Sequence, residues 1–263
     1  MPRAEPYPLG HGTVQVLPME AILVTQRGNG TGHWSLQLGT ALAAALRDAG
    51  HRVRWLRAVH EGAAAPPAPE GVECADIVGN SGSFRRVHAR VTDTACDVAL
   101  TRMLRERPAQ QLLHLGYGSA GSVNTLWIAT RMGTNCRAVV RAAEVLCHRA
   151  TLVDEAGRAC AAWEDVQRCT ACCLTTGLLG RFESGLGRLA RGLGGLSPWP
   201  NPDAFRNRLE LSVGNLQLAD RVVVADAAEA AALRTAGIAE GAIRLLPLPG
   251  PESGPALATA LVS

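Results

Sequence analysis

The sequence contains no lysine, and all 26 of its basic residues are arginine. A lysine that forms a Schiff base or binds phosphate in a P-loop is therefore excluded. Aromatic residues make up only 4% of the 263 residues, whereas hydrophobic residues make up 47%, which is enough for a substantial core. The net charge of +3 is too small to predict nucleic-acid binding, so no nucleic-acid partner is expected.

Long apolar segments are missing as well. No run approaches the roughly 18 apolar residues that a membrane-spanning helix needs, and the first residues lack the basic and apolar regions of a secretory signal. We therefore expect a cytoplasmic protein whose eight cysteines are mostly reduced.

The common catalytic and cofactor motifs are also absent, among them H-E-x-x-H, the P-loop and a Ser-His-Asp pattern. Gly28, Gly30 and Gly32 have the spacing G-x-G-x-G, which differs from the dinucleotide motif G-x-G-x-x-G. Arg54 and Arg57 stand where an acidic residue would bind the ribose of NAD, so NAD binding is disfavoured. A glycine loop before a helix still favours an anion, with a plain tight turn as the alternative.

Alternating strand and helix patterns predict an α/β fold. Residues 21–25 form an apolar run typical of a buried parallel strand, residues 34–49 place leucines on one helical stripe, and residues 51–56 form the next strand. Further strands are predicted at 111–115, 136–142, 221–225 and 243–248, and further helices at 92–107, 121–132, 203–218 and 227–235. This order predicts a single Rossmann-like, doubly wound parallel sheet.

The composition divides the chain into three regions. Residues 1–18 are predicted to be a flexible N-terminal arm, residues 19–249 the folded domain, and residues 250–263 a loose tail rich in Pro, Gly and Ala. Within the domain, the segment 174–195 combines leucines with arginines and glycines, as in an amphipathic basic helix. Such a helix packs on the core or contacts a membrane surface or a partner.

Four cysteines in the loop 145–175 have the spacing C-x12-C-x8-C-x2-C, namely Cys147, Cys160, Cys169 and Cys172. Four thiolates suit Zn²⁺ in a closed tetrahedral site, which is structural because no coordination position stays open for water. An iron–sulfur cluster could use the same ligands and is less favoured. Thiols without metal, or a disulfide, are the remaining alternatives.

Several stretches, taken in order, resemble a known family. They are residues 46–53 (LRDAGHRV), 145–149 (VLCHR), 219–224 (ADRVVV) and 243–248 (IRLLPL). Together they resemble the N-terminal, acceptor-side domain of the GT-B glycosyltransferases of the family-4 type, including its cysteine loop, over about residues 20–249. The resemblance implies sugar transfer from a nucleotide sugar in a cleft between two domains.

The resemblance also implies an active site at the carboxyl edge of the sheet. The family's His-Asp pair would fall at Arg141 and Ala142, so Glu144 and the strand-end residue His114 are the candidate catalytic residues. An arginine there could hold a phosphorylated or carboxylated acceptor by bidentate hydrogen bonds. The substrate-binding candidates are Gly30, Gly32, His33, Arg141 and Arg149. For each of them an ordinary loop position is the alternative.

Members of the family continue into a second Rossmann-like domain that binds the nucleotide sugar, whereas this sequence ends at Ser263. The resemblance therefore implies a donor-binding partner chain or a missing C-terminal domain. Loss of the His-Asp pair favours the alternative of a non-catalytic, metal-stabilised scaffold or regulatory subunit. The expected location is the cytoplasm, with peripheral contact to the inner membrane through the segment 174–195 as a further option.

Overall fold

The computed structural model describes most of the predicted domain. The predicted glycine loop 28–33 and nearly all of the arm 1–18 and the segment 174–195 lie outside the described residues and stay predictions. The described stretches are residues 18–26, 34–59, 65–78, 92–117, 121–154, 157–160, 163–175, 202–247 and 254–262.

The described strands form one sheet of seven strands, in which all neighbours are parallel. The order along the sheet is β3-β2-β1-β4-β5-β6-β7, which confirms the predicted doubly wound α/β fold. The strands are β1 (Glu20–Gln26), β2 (Arg52–Val59), β3 (Glu73–Val78), β4 (Gln111–Leu115), β5 (Asn135–Val139), β6 (Arg221–Val224) and β7 (Ile243–Leu245).

Helices cover both faces of the sheet. The described helices are α1 (Trp34–Asp48), α2 (Thr94–Glu106), α3 (Thr125–Arg131), α4 (Ala142–Leu146), α5 (Val166–Thr175), α6 (Pro202–Leu216), α7 (Ala227–Thr235) and α8 (Gly254–Val262). Buried side chains of α1 and α8 form one core with one face of the sheet, and those of α2, α3, α4, α6 and α7 form a second core on the other face.

The centre of the sheet is apolar on both sides. Residues 21–24 of β1 are completely buried and contribute side chains alternately to the two cores, as expected of a parallel strand covered by helices. Helix α1 comes very close to this sheet at Gly39, where a Cβ atom would lie only 2.7 Å from Thr25 and 2.8 Å from Trp55. A glycine is therefore required at this contact.

The predicted helix ends follow local chemistry. Gly50 adopts a φ of 86° immediately after α1, which is the left-handed conformation that commonly ends a helix. The Asp226 carboxylate accepts a hydrogen bond from the backbone N–H of Glu229 at 2.9 Å and caps α7. Asp93 caps α2 in the same way, accepting from the N–H groups of Ala95 and Cys96.

Several predicted elements differ from the structure. The strand predicted at 136–142 ends at Val139, and the following residues turn into α4. The last strand stops at Leu245, earlier than predicted. The tail predicted to be loose contains α8, because Leu257 and Leu261 lie on one helical face and are buried against α1. None of the helices in the described residues is long and apolar enough to cross a membrane.

Candidate functional site

The chain reverses its direction of winding between β1 and β4. From β1 the strands proceed to β2 and β3 on one side, and from β4 they proceed to β5, β6 and β7 on the other. Open α/β sheets bind ligands outside the carboxyl ends of the strands at the point where the strand order reverses in this way. The predicted location of the site at this edge therefore coincides with the switch point of the sheet.

Gln26 occupies the carboxyl end of β1 and connects it to the loop after β4. Its Nε2 donates a hydrogen bond to the carbonyl oxygen of Ser122 at 2.6 Å, and its own carbonyl oxygen accepts from the Ser35 hydroxyl at 2.7 Å. Gly116, with a φ of 80°, lies against this pair, because a Cβ there would be 3.2 Å from the Gln26 carbonyl. The two strand ends are thus held together tightly.

Glu144 is the buried carboxyl group of this edge, with only 5% of the residue exposed. Its Oε1 accepts a hydrogen bond from Trp34 Nε1 at 2.8 Å, and its Oε2 accepts one from the backbone N–H of Tyr117 at 3.0 Å. Burial raises the pKa of Glu144, while the hydrogen bonds from Trp34 and Tyr117 and the charge of Arg141 act in the opposite direction. Glu144 therefore links the start of α1, the end of β4 and α4.

Arg141 lies close enough to Glu144 to lower its pKa, but its guanidinium faces solvent. Its Nε forms an ion pair with Glu229 Oε1 at 2.9 Å, and the Arg141 side chain is 48% exposed. Glu229 also accepts a hydrogen bond from the backbone N–H of Ala225, which fixes its position at the start of α7. We call the group formed by Gln26, Trp34, Tyr117, Arg141 and Glu144 the edge site.

His114 lies inside the sheet and has no exposed surface. Its Nδ1 is 2.8 Å from the hydroxyl of Thr125, and its ring meets the Tyr117 ring edge-on at 5.0 Å between centroids. Burial lowers the pKa of His114 to about 4, so the ring is neutral at physiological pH. The structure therefore places His114 behind Tyr117 and away from the surface of the edge site.

The remaining substrate-binding candidates either lie outside the described residues or belong to another part of the chain. Gly30, Gly32 and His33 lie outside the described residues. Arg149 lies in the cysteine loop, where its Nη1 donates to the Cys172 Sγ at 3.5 Å and to the Val153 carbonyl oxygen at 3.3 Å. Among the predicted residues, the structure thus brings only Glu144 and Arg141 together at the edge, within the part of the chain it describes.

The four predicted metal ligands surround one small cavity of about 20 Å³ in the loop after α4. Cys169 and Cys172 lie one helical turn apart on α5, while Cys147 follows α4 directly and Cys160 follows a short bridge between Val153 and Ala159. Burial, and then the charges of the other three thiols, raise the pKa of Cys169 to about 12. We call these four residues the cysteine cluster.

The cysteine cluster contains no disulfide, since all four thiols are free. The described residues include no group of three or more His, Cys, Asp or Glu side chains arranged to hold a metal ion. The donor set nevertheless fits a thiophilic ion, because four thiols line one small cavity. Ligation would require the sulfur atoms to move to roughly 2.3 Å from a zinc ion.

A short connection joins the edge site to the cysteine cluster. Glu144 lies within α4, and Cys147 is the residue at which α4 ends. Arg208 of α6 holds this end by donating to the carbonyl oxygens of Glu144 at 2.8 Å and Val145 at 3.4 Å. The ring of His148 packs edge-on against Phe205 at 4.3 Å, so α6 anchors both sites.

The sequence analysis did not identify Gln26, Trp34 or Tyr117 as members of the edge site. All three lie beside or within a glycine-rich loop. Gln26 precedes and Trp34 follows the loop 28–33, and Tyr117 belongs to the glycine-rich stretch 116–121. Proximity to those two loops is the signal that could have identified them. Together, fold and site define a Rossmann-like α/β domain with a buried carboxyl group at its switch point and a thiol cluster beside it.

No protein-family model matches the chain, and no curated protein matches it in sequence. Among solved structures, it is similar to the UDP-GlcNAc 2-epimerase from Methanocaldococcus jannaschii, with 10% identity, a TM-score of 0.41, and coverage of 86% of this chain and 45% of that chain. It is also similar to Phytolacca americana UGT2 in complex with UDP-2fluoro-glucose and pterostilbene, with 11% identity, a TM-score of 0.43, and coverage of 86% of this chain and 53% of that chain. For a UGT transferase from Siraitia grosvenorii in complex with UDP, the identity is 13%, the TM-score is 0.41, and the similarity covers 87% of this chain and 48% of that chain. The chain spans about half the length of these structures, and the assignment of its fold rests on its own strand order.

Proposed function

We propose that this chain is the acceptor-binding half of a glycosyltransferase. The observation that carries the proposal is Glu144, a buried carboxyl group with a raised pKa at the switch point of a doubly wound sheet. The donor, a nucleotide sugar, would be bound by a second Rossmann-like domain, either on a partner chain or in further sequence. The family resemblance of the segments 46–53, 145–149 and 219–224 supports the same assignment.

In the proposed reaction, the acceptor-binding half needs to orient the acceptor hydroxyl and to accept its proton. In the proposed reaction the acceptor hydroxyl oxygen forms a bond to the anomeric carbon, the bond to the nucleoside diphosphate breaks, and the hydroxyl proton passes to the Glu144 carboxylate. Trp34 already donates to Oε1, but a carboxylate oxygen can accept a second hydrogen bond, so the acceptor hydroxyl could donate to the same oxygen. Arg141 would exchange Glu229 for an acidic group of the acceptor.

The test combines the full chain with a candidate donor-binding protein and measures sugar transfer to acceptor. Replacing Glu144 with Gln removes the proton acceptor and should lower kcat by at least about 100-fold. Glu106→Gln is the matched control, because Glu106 lies on the exposed side of α2 in a surface pair with Arg102. Unchanged kcat in Glu144→Gln would refute the proposed role of Glu144, and absence of transfer with every donor-binding partner would refute the proposed function.

A second candidate function is that of a non-catalytic subunit with the same fold. Both oxygens of Glu144 already accept hydrogen bonds from the protein itself, as in a residue that only holds loops together. In this case the chain would bind its partner and stabilise it, and Glu144→Gln would leave the activity of the complex unchanged while lowering the stability of the chain.

We further propose that the cysteine cluster binds one structural zinc ion. Four thiols that line one small cavity support this proposal, and a closed four-thiolate site would carry no reaction step. The metal content of the purified chain, measured by mass spectrometry, tests it. We expect one zinc per chain, its loss in Cys169→Ser, and its retention in Cys74→Ser, because Cys74 is an exposed thiol on β3 outside the cluster. A wild-type chain without zinc would refute this proposal.

A further inference from the structure

Arg149 was predicted to contact substrate, but its surroundings indicate a different role. The guanidinium Nη1 lies 3.5 Å from the Sγ of Cys172, a normal distance for a hydrogen bond to sulfur. The same nitrogen lies 3.3 Å from the carbonyl oxygen of Val153 and 3.5 Å from that of Asp154. Arg149 also lines the cavity that the four thiols share. Its head group therefore faces the cysteine cluster.

The loop around the cysteine cluster consists of three segments that Arg149 connects. Arg149 itself follows Cys147 at the end of α4, Val153 and Asp154 begin the turn that leads to Cys160, and Cys172 belongs to α5. A planar guanidinium presents several donors in a fixed plane, which suits a residue that must contact three segments at once. Arg149 thus holds the ligand-bearing segments in register.

The charge of a metal-loaded cysteine cluster also supports a role of Arg149 at this site. Four thiolates with one Zn²⁺ leave two negative charges in a largely enclosed space, and buried charge without compensation is costly. Two other arginines near the cluster, Arg158 and Arg168, are directed at the buried carboxylate of Asp154, at 3.0 Å and 3.7 Å. The guanidinium of Arg149 instead donates to a thiol of the cluster.

We infer that Arg149 is a positioning residue of the cysteine cluster, which holds the Cys172 sulfur in place by a hydrogen bond and compensates the negative charge of the loaded site. This inference rests on the proposed zinc site. It assigns the residue to metal retention and not to acceptor binding. Hydrogen-bonding partners of metal ligands commonly contribute a factor of about 10 to 100 in metal affinity.

The test measures zinc affinity of the full chain by competition with a chromogenic chelator, together with the thiolate-to-metal absorption of the cobalt-substituted protein. Arg149→Met should retain one zinc per chain but bind it about 10- to 100-fold more weakly. Arg149→Lys restores the charge without the planar donor array and should lie between Met and wild type. Arg158→Met is the matched control, because Arg158 is in the same loop yet its side chain is 72% exposed and pairs with Asp154.

The outcomes separate this inference from the proposal on which it rests. Weaker zinc binding in Arg149→Met with wild-type affinity in Arg158→Met would support it. Wild-type zinc affinity in Arg149→Met would overturn it and leave the zinc site intact, and lowered transfer with unchanged zinc affinity would instead restore Arg149 to the acceptor site. A wild-type chain that binds neither zinc nor cobalt would overturn both the zinc site and this inference.

Discussion

The edge site and the cysteine cluster are joined by the same short helix, α4, but their buried polar groups are stabilised in different ways. At the edge site, the buried carboxyl group of Glu144 accepts one hydrogen bond at each oxygen, so the fold itself satisfies it. In the cysteine cluster, burial and then the charges of the neighbouring thiols raise the pKa of Cys169, so ionisation of these thiols is unfavourable. The Glu144 carboxyl group is thus satisfied by the described chain, whereas in the proposed zinc site an added cation would stabilise the thiols as thiolates.

This difference predicts that loss of the metal site destabilises the chain somewhat more than any single change at the edge site. The double variant Cys169→Ser/Cys172→Ser leaves too few thiolates to close a tetrahedral site, and its free energy of unfolding should fall by on the order of 5 kcal/mol. Denaturant unfolding with and without a zinc chelator measures this effect. Cys74→Ser should behave like wild type, and chelator resistance of the wild-type chain would contradict the contrast between the two regions.

A smaller loss of stability is expected when the edge site loses the Glu144 carboxylate, which accepts two hydrogen bonds. Glu144→Ala leaves the Trp34 indole N–H and the Tyr117 backbone N–H without a partner, and each buried unsatisfied donor costs about 1–3 kcal/mol. We expect a loss of roughly 4 kcal/mol in total. Urea unfolding of Glu144→Ala against Glu106→Ala measures it, and equal stabilities would show that the edge site is not held by this carboxyl group.

His114, which lies behind Tyr117 of the edge site, should make the stability of this side of the molecule sensitive to acid. Burial depresses the pKa of His114 from 6.5 to about 4, so the unfolded chain takes up this proton first as the pH falls. Its stabilising effect is complete above pH 6.5 and is lost progressively toward pH 4, by about 3 kcal/mol. The raised pKa of Glu144 acts with the opposite sign, since that group favours the folded chain when protonated.

The variant His114→Asn isolates this contribution, because Asn keeps a polar atom near the position of Nδ1 opposite Thr125 but does not titrate. The free energy of unfolding of wild type, measured between pH 4 and pH 7, should fall more steeply toward acid than that of the variant. Parallel curves for the two proteins would contradict the buried, neutral state of His114.

The smallest effect on stability is expected for a change of Arg141, at the solvent-exposed side of the edge site. Arg141→Gln breaks the ion pair with Glu229, but the Arg141 side chain is 48% exposed, and such pairs contribute about 0–1 kcal/mol. Acceptor binding, measured by calorimetry, should weaken in this variant although its stability does not change. Unaltered acceptor affinity would remove Arg141 from the proposed site and leave Glu144 as its remaining charged member.

The fold was predictable because local signals and tertiary structure agree in most elements. The apolar run of β1, the leucine stripe of α1 and the glycine after it each act over a few residues, so the sequence suffices. The end of β5 was misjudged because Val140 continues the apolar, β-branched pattern of the strand, whereas contacts of α4 with α6 and α7 favour a helix from Ala142 onward. The same limitation applies to α8, whose small apolar residues form a helix where they cover α1.

The candidate site was predictable in part for a related reason. Spacing alone located the four thiols, because metal ligands come close together in short loops. Spacing in the sequence could not show that Trp34, 110 residues earlier, donates a hydrogen bond to Glu144. It also could not show that Arg149 donates to the sulfur of Cys172. Those contacts depend on the parallel crossovers, which bring distant loops to one edge of the sheet.

The strand order also has a consequence for the rate at which the chain folds. Residue 21 of β1 pairs with residue 111 of β4, and residue 137 of β5 pairs with residue 221 of β6, so the central contacts join distant segments. Chains dominated by such non-local pairs fold slowly. A metal that joins Cys147 to Cys172 removes about 25 of the roughly 80 residues between β5 and β6, which lowers the entropy cost of that closure by only a few tenths of a kcal/mol. We therefore expect a zinc ion in the cysteine cluster to affect mainly how long the folded chain persists, whereas the remote partners of the central strands set how slowly it forms.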